Sequence, residues 1–230
     1  MAFLIDIEGI DGSGKGTQAA LLTEYLQQQG YRTRLISFPR YGKTLFARGI
    51  ADFLNGRYGA LDEVNPFLVS LLYSGDRFES RAWLLDQLAS EQVLVLDRYV
   101  PSNLAHQGSK CRGSEREELI RWIEQIEYEV YALPRPDLVL WLDLPVPIAH
   151  ERIAAKKPRE YTSQTTDLQE ADSNHLLRTR EVYESLAQSR REWHTIPAFE
   201  GACPLSAVEM SQRIRRIVEP IFQKSIAPQK

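Results

Sequence analysis

Residues 9–17 read Gly-Ile-Asp-Gly-Ser-Gly-Lys-Gly-Thr. Gly9, Gly12, Gly14 and Gly16 surround one lysine, Lys15, and leave Asp11, Ser13 and Thr17 as the polar side chains between and after them. Without a Cβ the chain turns tightly enough for successive N–H groups to converge on one anion. A lysine at this place reaches the outer phosphates of a polyphosphate as a point charge. The pattern G-x-x-x-x-G-K-[ST] fits from Gly9 to Lys15 and departs at its last place, where Gly16 stands and Thr17 supplies the next hydroxyl. A second constellation follows the apolar run Val93 to Leu96, where Asp97 and Arg98 stand side by side. A carboxylate at the end of a buried strand can hold Mg²⁺, directly or through water, beside such a loop. Arg98 can aim a fixed cationic fork at a phosphate. A strand-end Asp often does no more than cap a turn; the glycine-rich loop upstream is what favours the catalytic reading of Asp97. Together these residues point to binding of a nucleoside triphosphate and transfer of its phosphate.

The elements that must position them are legible in outline. Residues 3–7, 34–38, 93–96, 138–142 and 193–196 read as strands, and helical periodicity covers roughly 44–55, 66–90, 115–130, 146–156, 168–191 and 205–219, with a further helix-like stretch from Gln18 to Gln29. The runs Val93 to Leu96 and Leu138 to Leu142 are continuously apolar, as strands buried on both faces are. Strands alternating with helices predict a five-stranded parallel sheet with helices on both faces, a three-layer α/β/α P-loop fold in a single domain over residues 1–230. Residues 152–167 read as a polar lid, and a short tail begins at about residue 220.

Composition narrows the class without naming it. Of 230 residues, 43% are hydrophobic and 26% charged, an ordinary globular balance. The net charge of −3 gives no overall footprint for nucleic acid. Cys111 and Cys203 make neither a disulfide framework nor a zinc pattern. The apolar N-terminal run is interrupted by Asp6 and Glu8 and lacks a basic flank, which argues against a signal peptide. No stretch approaches membrane-spanning length, so no membrane partner is expected and the cytoplasm is the expected compartment.

The loop at 9–18, Phe38-Pro39-Arg40, the stretch 71–79 (LLYSGDRFE) and residues 97–108 (DRYVPSNLAHQG) together resemble the thymidylate kinase family, in order and spacing, from Phe3 to about Val218. The resemblance implies transfer of a phosphoryl group from ATP to dTMP with Mg²⁺, in dTTP biosynthesis, by a homodimer. It implies that residues 9–17 hold ATP while Asp11 also meets the acceptor's 3′-hydroxyl. It puts Arg40 on the acceptor's 5′-phosphate, although some relatives carry that arginine one place later, where Tyr41 stands. Tyr73 would stack on thymine and Arg77 reach its O4, and a spacing of four puts both on one helical face. Arg98 would bridge the acceptor and donor phosphates, with Ser102, His106 and Gln107 lining the acceptor pocket. Thr17 and Asp97 would be the Mg²⁺ contacts.

Some relatives carry an arginine inside the phosphate loop; Gly12 and Ser13 occupy those places here. The charge that develops on the transferred group then needs a cation from elsewhere, an effect worth roughly 10³ or more for one arginine. The lid offers Arg152, Lys156, Lys157 and Arg159, which resembles the bacterial-type arrangement; Arg159 is the first candidate and Arg152 the second. Tyr161 is placed toward the thymine side. Two alternatives stay open at this stage. The Gly-Lys-Gly-Thr wording is also that of adenylate kinases, and Gly16 is compatible with a nucleotide-binding regulator that has lost catalysis.

Overall fold

The computed structural model describes residues 2–155, 168–201 and 203–225. Its centre is a five-stranded, all-parallel sheet in the order β2-β3-β1-β4-β5, formed by β1 (Phe3–Glu8), β2 (Thr33–Ser37), β3 (Val93–Asp97), β4 (Leu138–Asp143) and β5 (Trp193–Pro197). β1 pairs with β3 and β4, and β3 also pairs with β2, so that Ile7 and Ser37 both stand level with Asp97. The carboxyl ends of three strands thereby open into one crevice, the place where ligands bind in open α/β sheets. β3 and β4 are buried along their lengths, which is what their unbroken Val/Leu runs require.

Helices cover both faces. They are α1 (Lys15–Gln28), α2 (Leu45–Leu54), α3 (Pro66–Glu79), α4 (Arg81–Ser90), α5 (Val100–Gly108), α6 (Gly113–Glu124), α7 (Val146–Ala154), α8 (Leu168–Ala171), α9 (Ser173–Ser189) and α10 (Ala207–Ser225). A two-residue antiparallel hairpin, Phe199–Glu200 with Cys203–Pro204, precedes α10. Among the described residues no helix is long and apolar enough to cross a membrane.

Several expected boundaries differ. The helix expected over 66–90 is two helices that meet at Ser80, whose ψ of −6° is well off the helical value although its amide still donates to the Asp76 carbonyl and its own carbonyl accepts from Leu84. The helix expected over 115–130 ends its α-form at Glu124, and Gln125–Val130 continue as a π-helical turn that brings Glu127 inward, with none of its side chain exposed. The helix expected from 168 to 191 is broken at Asp172, whose carboxylate accepts from the amides of Asn174 and His175 and so starts α9. α10 runs past the expected stop at 219 with Pro220 inside it. Most of the expected lid, including Lys156, Lys157, Arg159 and Tyr161, lies outside the described residues, as does the tail beyond Ser225.

α5 has no counterpart among the expected helices. All nine of its residues are buried, so no amphipathic stripe announces it, and its N-cap residue Tyr99 makes no side-chain cap. The cap comes from β1. Glu8 Oε1 accepts from the amides of Tyr99 at 2.9 Å and Ser102 at 3.0 Å, and Oε2 accepts from the hydroxyls of Ser102 at 2.6 Å and Tyr183 at 2.7 Å. Glu8→Ala should therefore lower stability by roughly 2–6 kcal/mol, since each of two buried N–H groups left unpaired costs about 1–3. Glu8→Gln retains an acceptor for both amides, and the two hydroxyls can turn to accept from its NH₂, so about 1–2 kcal/mol is expected. Urea unfolding of the pair checks this, and equal losses in both variants would contradict the capping role.

Candidate active site

The crevice holds a cavity of about 470 Å³. From the loop after β1 it is lined by Asp11, Gly12, Gly14, Lys15, Gly16 and Thr17; from the end of β3 by Asp97 and Arg98; from α3 by Tyr73 and Arg77; and from α5 by Ser102, His106 and Gln107. Most of the residues expected to carry the chemistry are thus brought together. Gly9 and Ser13 support the loop from outside the lining, with Ser13 fully buried. Arg40 does not line the cavity: its guanidinium carbon lies 3.6 Å from the centre of the Trp83 ring, and its amide donates to Asp76. Arg152, on the last turn of α7, does not line it either. Arg159 and Tyr161 lie outside the described residues.

The phosphate loop is shaped by close approach. Gly12 has φ +82°, and a Cβ there would stand 2.6 Å from the carbonyl oxygen of Ala149 in α7. Gly14 is the left-handed cap from which α1 starts, so the first amides of α1 face the cavity mouth with the positive end of the helix dipole. The Lys15 ammonium donates to the carbonyls of Gly9 and Ile10, both at 2.9 Å. Burial, and then the nearby Arg98 cation, lower its pKa to about 7.

Gly16 has a local explanation. A Cβ at this position would lie 3.1 Å from Asp97 Oδ2, tighter than side chains normally approach. The missing side chain keeps a gap between the start of α1 and the Asp97 carboxylate, with Thr17 on the rim. Among the described residues no group of three or more His, Cys, Asp or Glu side chains could cage a metal by itself. One carboxylate and one hydroxyl beside a phosphate-binding loop suit Mg²⁺, which keeps several waters and takes the rest of its shell from substrate phosphates.

Arg98 stands where β3 meets α5 in the cavity wall. It has φ +71°, unusual for a side chain of its size, and is held there because its own amide donates to Ile7 while the next amide, that of Tyr99, is held by Glu8. Its Nη2 donates to Asp11 at 2.5 Å, and Nη1 approaches Ser102 Oγ and His106 Nε2, each at 3.3 Å. Burial opposes its charge, but Asp11 leads the neighbours that more than compensate, so Arg98 stays protonated.

Deeper in, Arg77 is buried and paired through two bonds with Glu127, Nε to Oε2 at 2.5 Å and Nη2 to Oε1 at 2.6 Å. Glu127 Oε1 also accepts from Ser74 and from Asn103 Nδ2, at 3.0 and 2.9 Å. Asn103 Nδ2 approaches the Ser70 carbonyl at 3.1 Å and Ser74 Oγ at 3.2 Å as well. These neighbours identify the nitrogen end of the amide, and the other end, Oδ1, is buried without a hydrogen bond among the described residues while Asn103 lines the cavity. Both polar atoms of the Gln107 side chain are in the same condition. Glu8, Asn103 and Glu127 are the residues that sequence reasoning missed. Asn103 sits inside a recognised motif and was open to discovery there; Glu127 reads as one more acid on a charged helix.

A family model described as thymidylate kinase matches residues 7–202. The chain belongs to the thymidylate kinase family. A thymidylate kinase of Mycobacterium tuberculosis is 30% identical over 184 residues, spanning 80% of this chain and 85% of the relative. One of a Synechococcus species is 32% identical over 217 residues, 94% of each chain. The solved structure of thymidylate kinase from Candida albicans superposes with a TM-score of 0.72 over 96% of this chain and 92% of that one, at 22% identity, a likeness of fold.

The state of Lys15 in this thymidylate kinase family member has a measurable consequence. With a pKa of about 7, Lys15 is mostly neutral at pH 8, and bound polyphosphate favours its charged form. ATP binding at pH 8 should then take up between about half and one proton, read by calorimetry in two buffers of different ionisation heat. The uptake should vanish in Lys15→Arg, because arginine is charged throughout. No uptake in the unaltered protein would contradict the assignment.

Proposed function

We infer that this protein transfers the γ-phosphoryl group of ATP to dTMP, giving dTDP and ADP on the way to dTTP. Family membership supports the reaction, and one feature of the cavity supports the base: the buried Oδ1 of Asn103, without a hydrogen-bond partner among the described residues, on a side chain that shares Glu127 Oε1 with Arg77. Glu127 holds Arg77 by Nε and Nη2, which leaves Nη1 as the end of the guanidinium not held by Glu127. An acceptor beside a donor suits the N3–H and O4 edge of thymine, whereas cytosine presents the reverse pattern. A site built from buried polar groups rejects a base that leaves them unpaired, by 10⁴-fold or so in favourable cases. Tyr73 offers the ring that stacks on the base.

Phosphoryl transfer needs alignment and charge neutralisation more than covalent help. In this reading residues 9–17 hold the triphosphate and Lys15 meets its outer phosphates. Arg98 receives the acceptor's 5′-phosphate, with Arg40 as a second candidate, while Asp11 meets the 3′-hydroxyl and Ser102, His106 and Gln107 shape the pocket around the sugar. Thr17 and Asp97 would hold Mg²⁺, directly or through water, and the ion would supply neutralisation of phosphate charge. The lid supplies the remaining cation, Arg159 first and Arg152 second, with Tyr161 toward the thymine. Neither alternative is favoured. An adenylate kinase would not use an acceptor oxygen to meet N1 of adenine, itself an acceptor, and a silent regulator need not retain Lys15, Asp97 and Arg98 around one cavity.

A homodimer belongs to the same reading. Leu45 (71% exposed), Phe46 (39%) and Phe78 (51%) sit on α2 and α3, where the Phe46 ring lies against Gly75 and Glu79 meets the amide of Leu45, so the three share one apolar surface. Sedimentation equilibrium should give twice the chain mass of 26.4 kDa; a monomer at micromolar concentration would remove this part.

Steady-state turnover of dTMP, dUMP, AMP, CMP and GMP with Mg-ATP tests the reaction. dTMP should exceed AMP and CMP in kcat/KM by at least about 10²-fold, and faster turnover of AMP would overturn the reading. In the same assay Arg159→Ala should lower kcat far more than it raises KM for dTMP, and unchanged kcat would remove Arg159 from the mechanism.

A further inference from the structure

His175 enters no part of the reaction described above, yet it lies fully buried two side chains from Arg98. His106 Nε2 is 3.3 Å from Arg98 Nη1; His106 Nδ1 is 3.3 Å from His175 Nε2; and His175 Nδ1 is 3.1 Å from Ser109 Oγ. Ser109 Oγ donates in turn to the carbonyl of His106 at 2.9 Å.

The chemistry of the two ends allows one direction of donation. A guanidinium has donors and no acceptor, so His106 Nε2 must accept and its proton must sit on Nδ1. That N–H faces His175 Nε2, which must accept as well, so the second imidazole also carries its proton on Nδ1. The Nδ1–H of His175 then donates to Ser109 Oγ, whose single proton is given to the His106 carbonyl. Thr179 Oγ1, 3.5 Å from His175 Nε2, is a hydroxyl and fits as a second donor to it. Both rings must be neutral, because a second proton on either would set donor against donor. The surroundings agree. Arg98, Lys15 and Asp11 face His106, and burial followed by the Arg98 charge hold it well below its usual pKa. Lys110, Asp172, Arg178 and Asp11 face His175, and burial followed by the Lys110 charge lower it to about 3.

We propose that His175 is a positioning residue for the acceptor arginine: the one-way chain Arg98 → His106 → His175 → Ser109 orients the His106 ring, which in turn fixes the plane of the Arg98 guanidinium. α9, on which His175 stands, thereby sets a side chain that the loop after β1 and the start of α5 only partly constrain. The proposal rests on the reading that Arg98 holds the acceptor's phosphate, although its first test does not.

That test is long-range ¹H–¹⁵N correlation of the imidazole rings in the unaltered protein at pH 7. The chain has four histidines, and His106 and His175 should both be neutral with the proton on Nδ1, the less common tautomer of free imidazole side chains. Either ring protonated on Nε2 instead, or charged, overturns the proposal whatever the substrate is. The second test is kinetic. His175→Leu should raise KM for dTMP about tenfold, the effect of weakening one hydrogen bond to a charged group, and leave KM for ATP within twofold. His175→Gln, which again offers an acceptor and a donor, should recover most of that loss. Equal changes in both KM values, or no recovery by Gln, would mean that His175 serves packing alone. If dTMP proves not to be the substrate while both rings carry the expected tautomer, the proposed function fails and the chain of donation stands.

Discussion

The structure turns on the Glu8 carboxylate. It stands at the end of the central strand and satisfies two backbone amides and two hydroxyls from α5 and α9, elements that begin 92 and 165 residues later in the chain (100 − 8 and 173 − 8). A buried helix start with open amides is costly, and α5 has no side chain of its own to close it. Once Glu8 holds Tyr99 and the Ile7 carbonyl holds Arg98, the residue between β3 and α5 is forced into the left-handed region, and its guanidinium swings over the phosphate loop toward Asp11. The position of Arg98 is therefore a consequence of strand order: β1 lies beside β3, so the end of one can cap the helix that follows the other. Asp6, two residues earlier on the same face of β1, is pushed well above the usual carboxylate range by burial and then by Glu8, which keeps a second buried charge away from this corner.

The same economy of charge runs through the cavity. Arg98 is balanced by Asp11 and Arg77 by Glu127, both pairs partly or fully out of water. Buried ion pairs of this kind are weak sources of stability, because desolvation offsets most of their attraction. Their effect is geometric. Each arginine is held by a carboxylate on one side and can present its remaining N–H groups to a ligand in one orientation. Lys15 differs: it leans on two carbonyls and, among the described residues, has no carboxylate bonded to it, which leaves its charge responsive to whatever anion enters.

Much of this was legible in the sequence. The Val93–Leu96 and Leu138–Leu142 runs announced buried parallel strands, and the glycines around Lys15 announced the phosphate loop, because both signals are local. Asp97 and Arg98 followed from their place at a strand end. What escaped was non-local. α5 has no polar face to give a helical period and takes its cap from the far end of the sequence. Glu127 looks like a solvated acid in a charged helix, yet the π-helical turn brings it under Arg77. Ser80 breaks a helix without a Gly or Pro to mark the place. His175 gains its role from His106, a contact across 69 positions that no spacing rule addresses.

In the proposed reaction one cavity seats a thymine nucleotide on Arg77, Arg98 and Asn103 while the loop at 9–17 holds the donor. A crystal structure with dTMP and a non-hydrolysable ATP analogue tests it most directly. N3 of thymine should lie within hydrogen-bond distance of Asn103 Oδ1, the 5′-phosphate on Arg98 and the triphosphate on the amides that start α1. A thymine ring seated away from Asn103, with its phosphate not on Arg98, would contradict it.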